Sequence, residues 1–179
     1  MSKTVFQRIL GAEFYHLCEE VRHLHGFIAP PHWQGQCTVQ RGEGRMAQWV
    51  CLLAGLPPSM VNAPLQVSFQ RNPEKEIWQR SFDGKPLHST LKAGKQRLYE
   101  RMGPIGLRLR LYRIDDVLHW VGEGAHLFGL LPLPGIWFEE IRCREYGQQG
   151  RYHFEVEVNL PLLGRLIHYQ GWLEPVAEG

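Results

Sequence analysis

Residues 77–91 read IWQRSFDGKPLHSTL, and this stretch decides the fold class. Trp78, Phe82 and Leu87 lie on alternating runs in which an apolar residue recurs at every second position, the period of a half-buried β-strand. Asp83-Gly84 separates the two runs, and this dipeptide is a strong signal for a two-residue hairpin turn. The stretch therefore predicts two antiparallel strands joined by a tight turn.

The same period of two continues on both sides of this hairpin, over residues 64–173. The alternating runs are separated by connections that are too short for the crossover between parallel strands, so neighbouring strands must be antiparallel. A sheet of about ten strands curls or closes, because each strand twists relative to the next. We therefore predict a β-rich α+β fold, an antiparallel meander curled into a lipocalin-like barrel or half-barrel.

The segments before the meander are predicted from their periodicity and their breakers. Apolar residues at helical spacing over residues 4–25 predict an N-terminal helix. Residues 33–41 read as a first strand, and residues 45–55 read as a second short helix. No linker or low-complexity tract interrupts the chain, so residues 1–179 are expected to form one domain.

Composition and charge exclude several classes of function. The net charge is +2, from 20 basic and 18 acidic residues whose signs are interleaved, so no nucleic-acid partner is expected. No apolar run approaches the ~18 residues of a membrane helix, so no membrane span is expected. The four cysteines fit no zinc or C-x-x-C spacing and predict reduced thiols in a cytoplasmic protein.

One helical grouping resembles a metal site only superficially. His16, Glu20 and His23 share one face of the predicted N-terminal helix, and a His, carboxylate and His set can ligate a metal. This face borders the polar side of the helix, and a solvated surface explains it better. We therefore predict neither a metal nor another cofactor.

A curled sheet of this size can enclose a small ligand, and two apolar loops would lie at its ends. Residues 130–134 and 160–163 are both rich in Leu and Pro. These loops either form the portal of a ligand cavity or pack against the N-terminal helix.

Charged side chains on apolar strand faces are candidate site residues. Arg80 lies between Trp78 and Phe82, and Glu100 lies on a similar face of a later strand. A buried Arg80–Glu100 pair is either a structural element or a ligand or proton-transfer site. The predicted ligand-binding residues are Arg41, Trp78, Arg80, Phe82, Glu100 and Tyr169, and the candidate catalytic residues are Glu100 and His168.

The sequence also resembles a known family. The stretches that carry this resemblance are residues 6–11, 21–26, 39–44, 78–84 and 161–173. With these stretches the chain is similar to the bacterial domain-of-unknown-function family 4166. The resemblance implies no established activity, but members are often fused to a saccharopine-dehydrogenase-like reductase, so it implies a reductase as a partner. It also adds these positions as matching the family pattern: His25, Arg41, Trp78, Arg80, Ser89, Glu100 and Tyr169.

Three functions are consistent with these observations. The first is a non-enzymatic domain that binds a small apolar or amphipathic ligand in an internal pocket. The second is an isomerase or cyclase in which Glu100 or His168 acts as base and Arg80 stabilises developing charge. The third is an interaction module that docks on a reductase. No nucleophile elbow, P-loop or dinucleotide motif is present. The predicted curled sheet and the two apolar loops favour the first of these functions.

Overall fold

The computed structural model of the protein describes residues 3–72, 74–135, 138, 140–161 and 163–176. Three short α-helices and one 3₁₀ helix accompany eleven strands in these ranges. The helices are α1 (Val5–Leu10), the 3₁₀ helix Gly11–His16, α2 (Glu19–His25) and α3 (Arg45–Leu53). The strands are β1 (His32–Arg41), β2 (Met60–Arg71), β3 (Glu76–Phe82), β4 (Lys85–Gly94), β5 (Arg97–Met102), β6 (Ile105–Ile114), β7 (Val117–Leu127), β8 (Leu131–Leu133), β9 (Ile141–Gln148), β10 (Arg151–Leu160) and β11 (Gly164–Pro175).

Ten of these strands form a closed antiparallel barrel. Each strand from β1 to β7 pairs with the next one, β7 pairs with β9, and β9, β10 and β11 follow in order. The barrel closes where β11 pairs with β1, with a register that runs from Trp33 opposite Pro175 to Arg41 opposite Ile167. The predicted antiparallel meander is confirmed, and full closure removes the half-barrel alternative. The short strand β8 is an addition that pairs with β7, within residues that the sequence predicts to be a loop.

The alternation seen in the sequence determines which side chains enter the barrel. On β2, for example, Leu65, Val67 and Phe69 are buried, while the residues between them are exposed or half-buried. The predicted hairpin at Asp83-Gly84 is also present, and both residues have positive φ angles. A two-residue turn of this kind matches the twist of the strands it joins.

The predicted N-terminal helix is divided into α1, the 3₁₀ helix and α2. Gly11 ends α1 with a positive φ angle, and Leu17 and Cys18 adopt extended backbone conformations before α2 begins. The backbone N–H of Cys18 donates to the carbonyl oxygen of Asp116 in the turn between β6 and β7. A continuous helix would not allow this hydrogen bond, because its amides bond within the helix.

This N-terminal segment covers one end of the barrel, which we call the closed end. The backbone N–H of Val5 donates to the Glu76 carboxylate at 2.9 Å, at the start of β3. The guanidinium of Arg71, at the end of β2, donates to the carbonyl oxygen of Leu24 at 2.7 Å. The segment thereby bonds to strands whose termini lie around this end.

The opposite end, which we call the mouth, contains α3, the β7–β8 connection and the β10–β11 connection. The two apolar loops thus lie away from the N-terminal segment, so of the two alternatives for these loops, the one in which they pack against the N-terminal helix is wrong. The reason is topological, because each of these connections follows a strand that runs away from the closed end. Leu162 of the second loop lies outside the described residues. None of the described helices is long and apolar enough to cross a bilayer.

Candidate functional site

An apolar cavity lies inside the barrel and extends from the closed end toward the mouth. It holds about 110 Å³ of free space. Large aliphatic and aromatic side chains from most of the strands form its wall, together with a small number of polar groups. The polar or weakly polar lining residues are Arg80, Glu100, Cys143, Glu145, Tyr152 and Tyr169.

A buried His–carboxylate pair lies at the floor of this cavity. Nε2 of His25, the last residue of α2, lies 2.6 Å from Oε2 of Glu145 on β9. Both side chains are removed from solvent, and the His25 ring packs 3.7 Å from the ring centroid of Phe6. The other ring nitrogen of His25, Nδ1, has no hydrogen-bond partner among the described residues. Glu145 therefore attaches the N-terminal segment to the barrel wall and also lines the cavity.

Burial keeps the weakly acidic groups of the cavity protonated. It raises the pKa of the Tyr152 phenol well above its ordinary value, and the nearby Glu145 carboxylate raises it further. Burial also raises the pKa values of Tyr169 and of the Cys143 thiol. These groups therefore face the cavity as neutral hydrogen-bond donors at neutral pH.

The raised pKa values of Tyr152 and Tyr169 predict a loss of stability at high pH. An unfolded tyrosine releases its proton near pH ~10, whereas the folded protein retains both protons above that pH. The free energy of unfolding is therefore not reduced by these two phenols below pH ~10. Above that pH it falls by up to about 1.4 kcal/mol per pH unit for each tyrosine, because only the unfolded chain releases the proton. Urea unfolding at pH 9 and pH 11 measures it.

Phenylalanine variants test the assignment to these two phenols. Tyr152→Phe and Tyr169→Phe should each reduce the fall in free energy of unfolding between the two pH values. Tyr99 on β5 is exposed, and Tyr99→Phe is the matched control. An equal pH dependence in all three variants would contradict the role of the buried phenols.

A second polar group lies on the wall formed by β3, β4 and β5. The Arg80 guanidinium donates to the hydroxyl of Ser89 at 3.1 Å and to the carboxylate of Glu100 at 3.4 Å. It also lies 4.8 Å above the ring of Trp78. Ser89 and Glu100 are both buried. Because a buried charge is costly without a partner, the opposite charges of Arg80 and Glu100 compensate each other within the wall.

The structure brings together most of the predicted site residues. Five of the six predicted ligand-binding residues line the cavity: Trp78, Arg80, Phe82, Glu100 and Tyr169. Arg41 does not line it, because its guanidinium donates to the carbonyl oxygens of Leu56 and Pro57 near the mouth. The role of the predicted residues in ligand binding stays a prediction.

The two candidate bases lie on opposite sides of the barrel wall. Glu100 lines the cavity, whereas Nε2 of His168 lies 3.0 Å from the Glu155 carboxylate on the outer face. His168 alternates with Ile167 and Tyr169, whose side chains point inward, so its own side chain points outward. The expectation that His168 acts within the pocket is therefore wrong.

Sequence reasoning missed Cys143, Glu145 and Tyr152. Cys143 and Glu145 are two residues apart on β9, and both follow in phase from the buried Ile141. That alternation would have predicted that the side chains of Cys143 and Glu145 point into the barrel. The pairing of Glu145 with His25 could not, because the two residues lie on different elements far apart in the chain.

The described residues contain no group of three or more His, Cys, Asp or Glu side chains that could hold a metal ion. The polar groups of the cavity bond to one another in pairs, His25 with Glu145 and Arg80 with Glu100. What the arrangement offers chemically is a low-dielectric space with protonated phenol groups at its wall.

Comparisons with known proteins identify the family. Among solved structures, the chain is similar to one titled "Crystal Structure of Rv2717c from M. tuberculosis", with 12% sequence identity and a TM-score of 0.47. The match covers 90% of this chain and 99% of that one, and a likeness at this level says nothing about function. No curated protein sequence matches the chain. The family model described as "Domain of unknown function (DUF4166)" matches residues 17–173, and the chain therefore belongs to this family.

Proposed function

We propose that the barrel binds a compact apolar or amphipathic molecule in its internal cavity. The observation that carries this proposal is the cavity itself, an apolar space with a few polar side chains at its wall. Binding sites for small molecules usually have this composition, because apolar contacts supply affinity and a few polar groups fix orientation.

The size of the cavity limits the ligand. A cavity of about 150 Å³ lined by aliphatic and aromatic residues accepts a benzene molecule. The space here is about 110 Å³, so the part of a ligand that fits without rearrangement is about one small ring or a short branched chain. A longer molecule would extend toward the mouth.

The Tyr169 hydroxyl is the group that best orients such a ligand. Tyr169 lines the cavity among mostly apolar side chains. Burial raises the pKa of this phenol, so it is a donor at neutral pH. The positive charge of Arg80 is close enough to oppose that increase. We therefore expect the ligand to carry one hydrogen-bond acceptor that faces Tyr169 and Arg80.

The same geometry favours binding over proton transfer. Glu100, one of the two cavity carboxylates, is paired with the Arg80 guanidinium at 3.4 Å. Glu145, the other cavity carboxylate, is paired with His25 at 2.6 Å. Each carboxylate already has a partner that holds it, so the isomerase or cyclase function is the weaker proposal. Docking on a reductase stays a prediction from the family resemblance.

Filling the cavity should abolish binding. Val156 on β10 lines the cavity, and Val156→Phe adds a ring that occupies much of the free space. Native mass spectrometry of the purified protein should show a bound small molecule in the wild type and none in Val156→Phe. Saturation with benzene or phenol, followed by tryptophan fluorescence, should show the same difference, because Trp78 and Trp120 line the same cavity.

Val121→Phe is the matched control, because Val121 is a half-buried residue that borders a cleft on the outer face of β7. It makes the same chemical change outside the cavity and should leave binding intact. The proposal is wrong if neither assay detects a ligand for the wild type, or if both variants bind equally.

A further inference from the structure

One side of the barrel wall carries a strongly basic outer surface. Strands β4, β5, β6, β7 and β9 are neighbours in the barrel, and alternate side chains of each strand point to solvent. Among the described residues between the turns, seven of these outward side chains are basic and one is acidic. The basic residues are Lys92, Arg97, Arg101, Arg108, Arg110, Arg142 and Arg144, and the acidic residue is Glu123. We call this surface the basic face.

The acidic residues that border the basic face do not neutralise it. Glu155 and Glu157 lie on the neighbouring strand β10, and Glu140 lies just before β9. With these three acidic residues included, the surface keeps a net charge of +3, compared with +2 for the whole chain. The turns at the ends of the same strands add no net charge, because three basic residues balance three acidic ones, namely Lys85, Lys95 and Arg113 against Asp83, Asp115 and Asp116.

Strand alternation produces this separation of charge. The two signs are interleaved along the sequence, which is why composition alone indicates no nucleic-acid partner. On β5, however, Arg101 points outward and Glu100 points into the barrel, and on β9 the same holds for Arg144 and Glu145. Glu100 and Glu145 are buried and paired inside the barrel, so they contribute little to the potential that an approaching ligand meets.

The carboxylates at the basic face are each shared between several cations. Three guanidinium groups surround the Glu123 carboxylate at 2.6 Å, 3.8 Å and 3.7 Å, those of Arg97, Arg108 and Arg110. Because one carboxylate neutralises one of these cations, the cluster retains two positive charges. Across the β9–β10 pairing, Arg142 lies opposite a glutamate that is already paired with an arginine of β11. The face can therefore bind an anion without losing its own ion pairs.

Aromatic rings lie among these charges. Tyr99 on β5 is 37% exposed and lies between a lysine of β4 and an arginine of β6. Its ring packs over Gly94, where an added Cβ would come within 3.1 Å of it, so one side of the ring rests on the sheet. The rings of Tyr112 and His119 are nearly parallel, with centroids 5.3 Å apart. Rings that lie beside guanidinium groups in this way are the kind of platform on which unpaired bases stack.

Charge and rings together distinguish between the anions that could bind here. The charges are spread over five strands spaced ~4.8 Å apart, so one small anion would contact only a few of them. A bilayer would find no large aliphatic side chain to take up, because Tyr99 is the one large hydrophobic residue exposed between the turns of the described face. A duplex keeps its bases stacked inside, away from the rings. A single strand can use both the charges and the rings.

We propose that the basic face binds single-stranded nucleic acid. Arg108, Arg110 and Arg142 contact the phosphates, while bases stack on Tyr99 and on the exposed edge of Tyr112. Contacts of this kind recognise the backbone and the flat faces of the bases, so they tolerate many sequences. The face lies on the outside of the barrel, and binding there does not depend on the ligand proposed for the cavity.

Fluorescence anisotropy with a labelled oligothymidine tests the electrostatic part of the proposal. The wild type should bind, and a plot of log Kd against log salt concentration should have a slope of about 2, since each phosphate contact contributes about 0.7. Arg142→Glu should weaken binding about tenfold at low salt and reduce this slope by about 0.7. The matched control is Arg45→Glu, on the exposed side of α3, which packs on β1 and β11 across the barrel. Equal losses in the two variants would overturn the proposal, and so would no binding by the wild type.

A tyrosine variant tests the stacking part. Tyr99→Leu should weaken oligothymidine binding about fivefold or more, because a stacked base loses its ring. It should leave binding of heparin, a polyanion without bases, unchanged. Tyr15 is 61% exposed on the 3₁₀ helix, and Tyr15→Leu is the matched control, which should bind like the wild type.

Three outcomes with competing ligands would overturn the proposal. The first is an equal loss of heparin and oligothymidine binding in Tyr99→Leu, which would mean that the rings play no part. The second is binding of a duplex as tight as that of the single strand. The third is binding to phosphatidylglycerol vesicles that is lost in Arg142→Glu while oligothymidine binding is absent. Circular dichroism of each variant should show a melting temperature close to that of the wild type, because the substituted side chains are exposed.

Discussion

Replacing Glu145 with Ala should lower the free energy of unfolding by about 3–5 kcal/mol, the usual cost of removing one partner from a buried pair. The substitution leaves Nε2 of His25 without its partner at 2.6 Å, in a place that water does not reach. It also removes the carboxylate that hydrogen-bonds with Tyr152. Thermal unfolding followed by circular dichroism should show a melting temperature lower by roughly 10 °C.

The control for this prediction is an ion pair on the outside of the same barrel. Glu155 pairs with Arg144 and His168, and its side chain is partly exposed. Glu155→Ala should cost no more than about 1 kcal/mol, because solvent screens exposed pairs. Glu145→Gln keeps an acceptor for His25 and should give an intermediate loss. If Glu145→Ala destabilised the protein no more than Glu155→Ala, the buried pair would not hold the closed end to the wall.

Replacing Gly35 with Ala should lower the free energy of unfolding by at least about 3 kcal/mol, the upper end of the usual cost of overpacking. Gly35 lies on β1 opposite Leu173, in the pairing that closes the barrel. A Cβ atom at this position would overlap the carbonyl oxygen of Trp172 on β11. Because that oxygen belongs to the backbone, it cannot rotate away, and the two strands must separate. Urea unfolding should report the loss.

Gly106 provides the matched substitution within a strand. It lies on β6, where an added Cβ would meet the nearest backbone oxygen, that of His126, at an ordinary distance of 3.9 Å. Gly106→Ala should therefore change the free energy of unfolding by less than about 0.5 kcal/mol. An equal effect of the two substitutions would mean that barrel closure does not depend on the close approach of β1 and β11 at Gly35.

The alternation of apolar residues was sufficient to predict the antiparallel meander, because side-chain burial in a sheet has a strict period of two. The same reasoning correctly placed Trp78 and Phe82 on one face, and both line the cavity. Arg80 and Glu100 could also be found in this way, since each interrupts an apolar face and a buried charge needs a partner. These predictions depend on neighbours along a strand or across a hairpin.

Contacts between distant segments could not be predicted. The apolar pattern of the N-terminal segment is helical throughout, yet the chain extends at Leu17 and Cys18 to bond with the β6–β7 turn. Likewise, the direction of the two apolar loops depends on which end of the barrel each strand reaches. The prediction for His168 was wrong because apolar and polar residues do not alternate regularly around it, so the sequence does not show which side chains of β11 point inward.

The pairing of β1 with β11 joins segments near opposite ends of the chain, while most of the other barrel pairings join strands that are adjacent in sequence. Hairpins can therefore form early and locally, but this last pairing requires a loop that contains most of the protein. Bringing together such distant segments carries a large loop-closure entropy, and proteins with many non-local contacts fold slowly. We therefore expect the pairing of β1 with β11, which closes the barrel, to be the rate-limiting step of folding. Until it occurs, β1 and β11 present unpaired strand edges on which a second chain can assemble, so the nascent protein is most exposed to aggregation just before its native state forms.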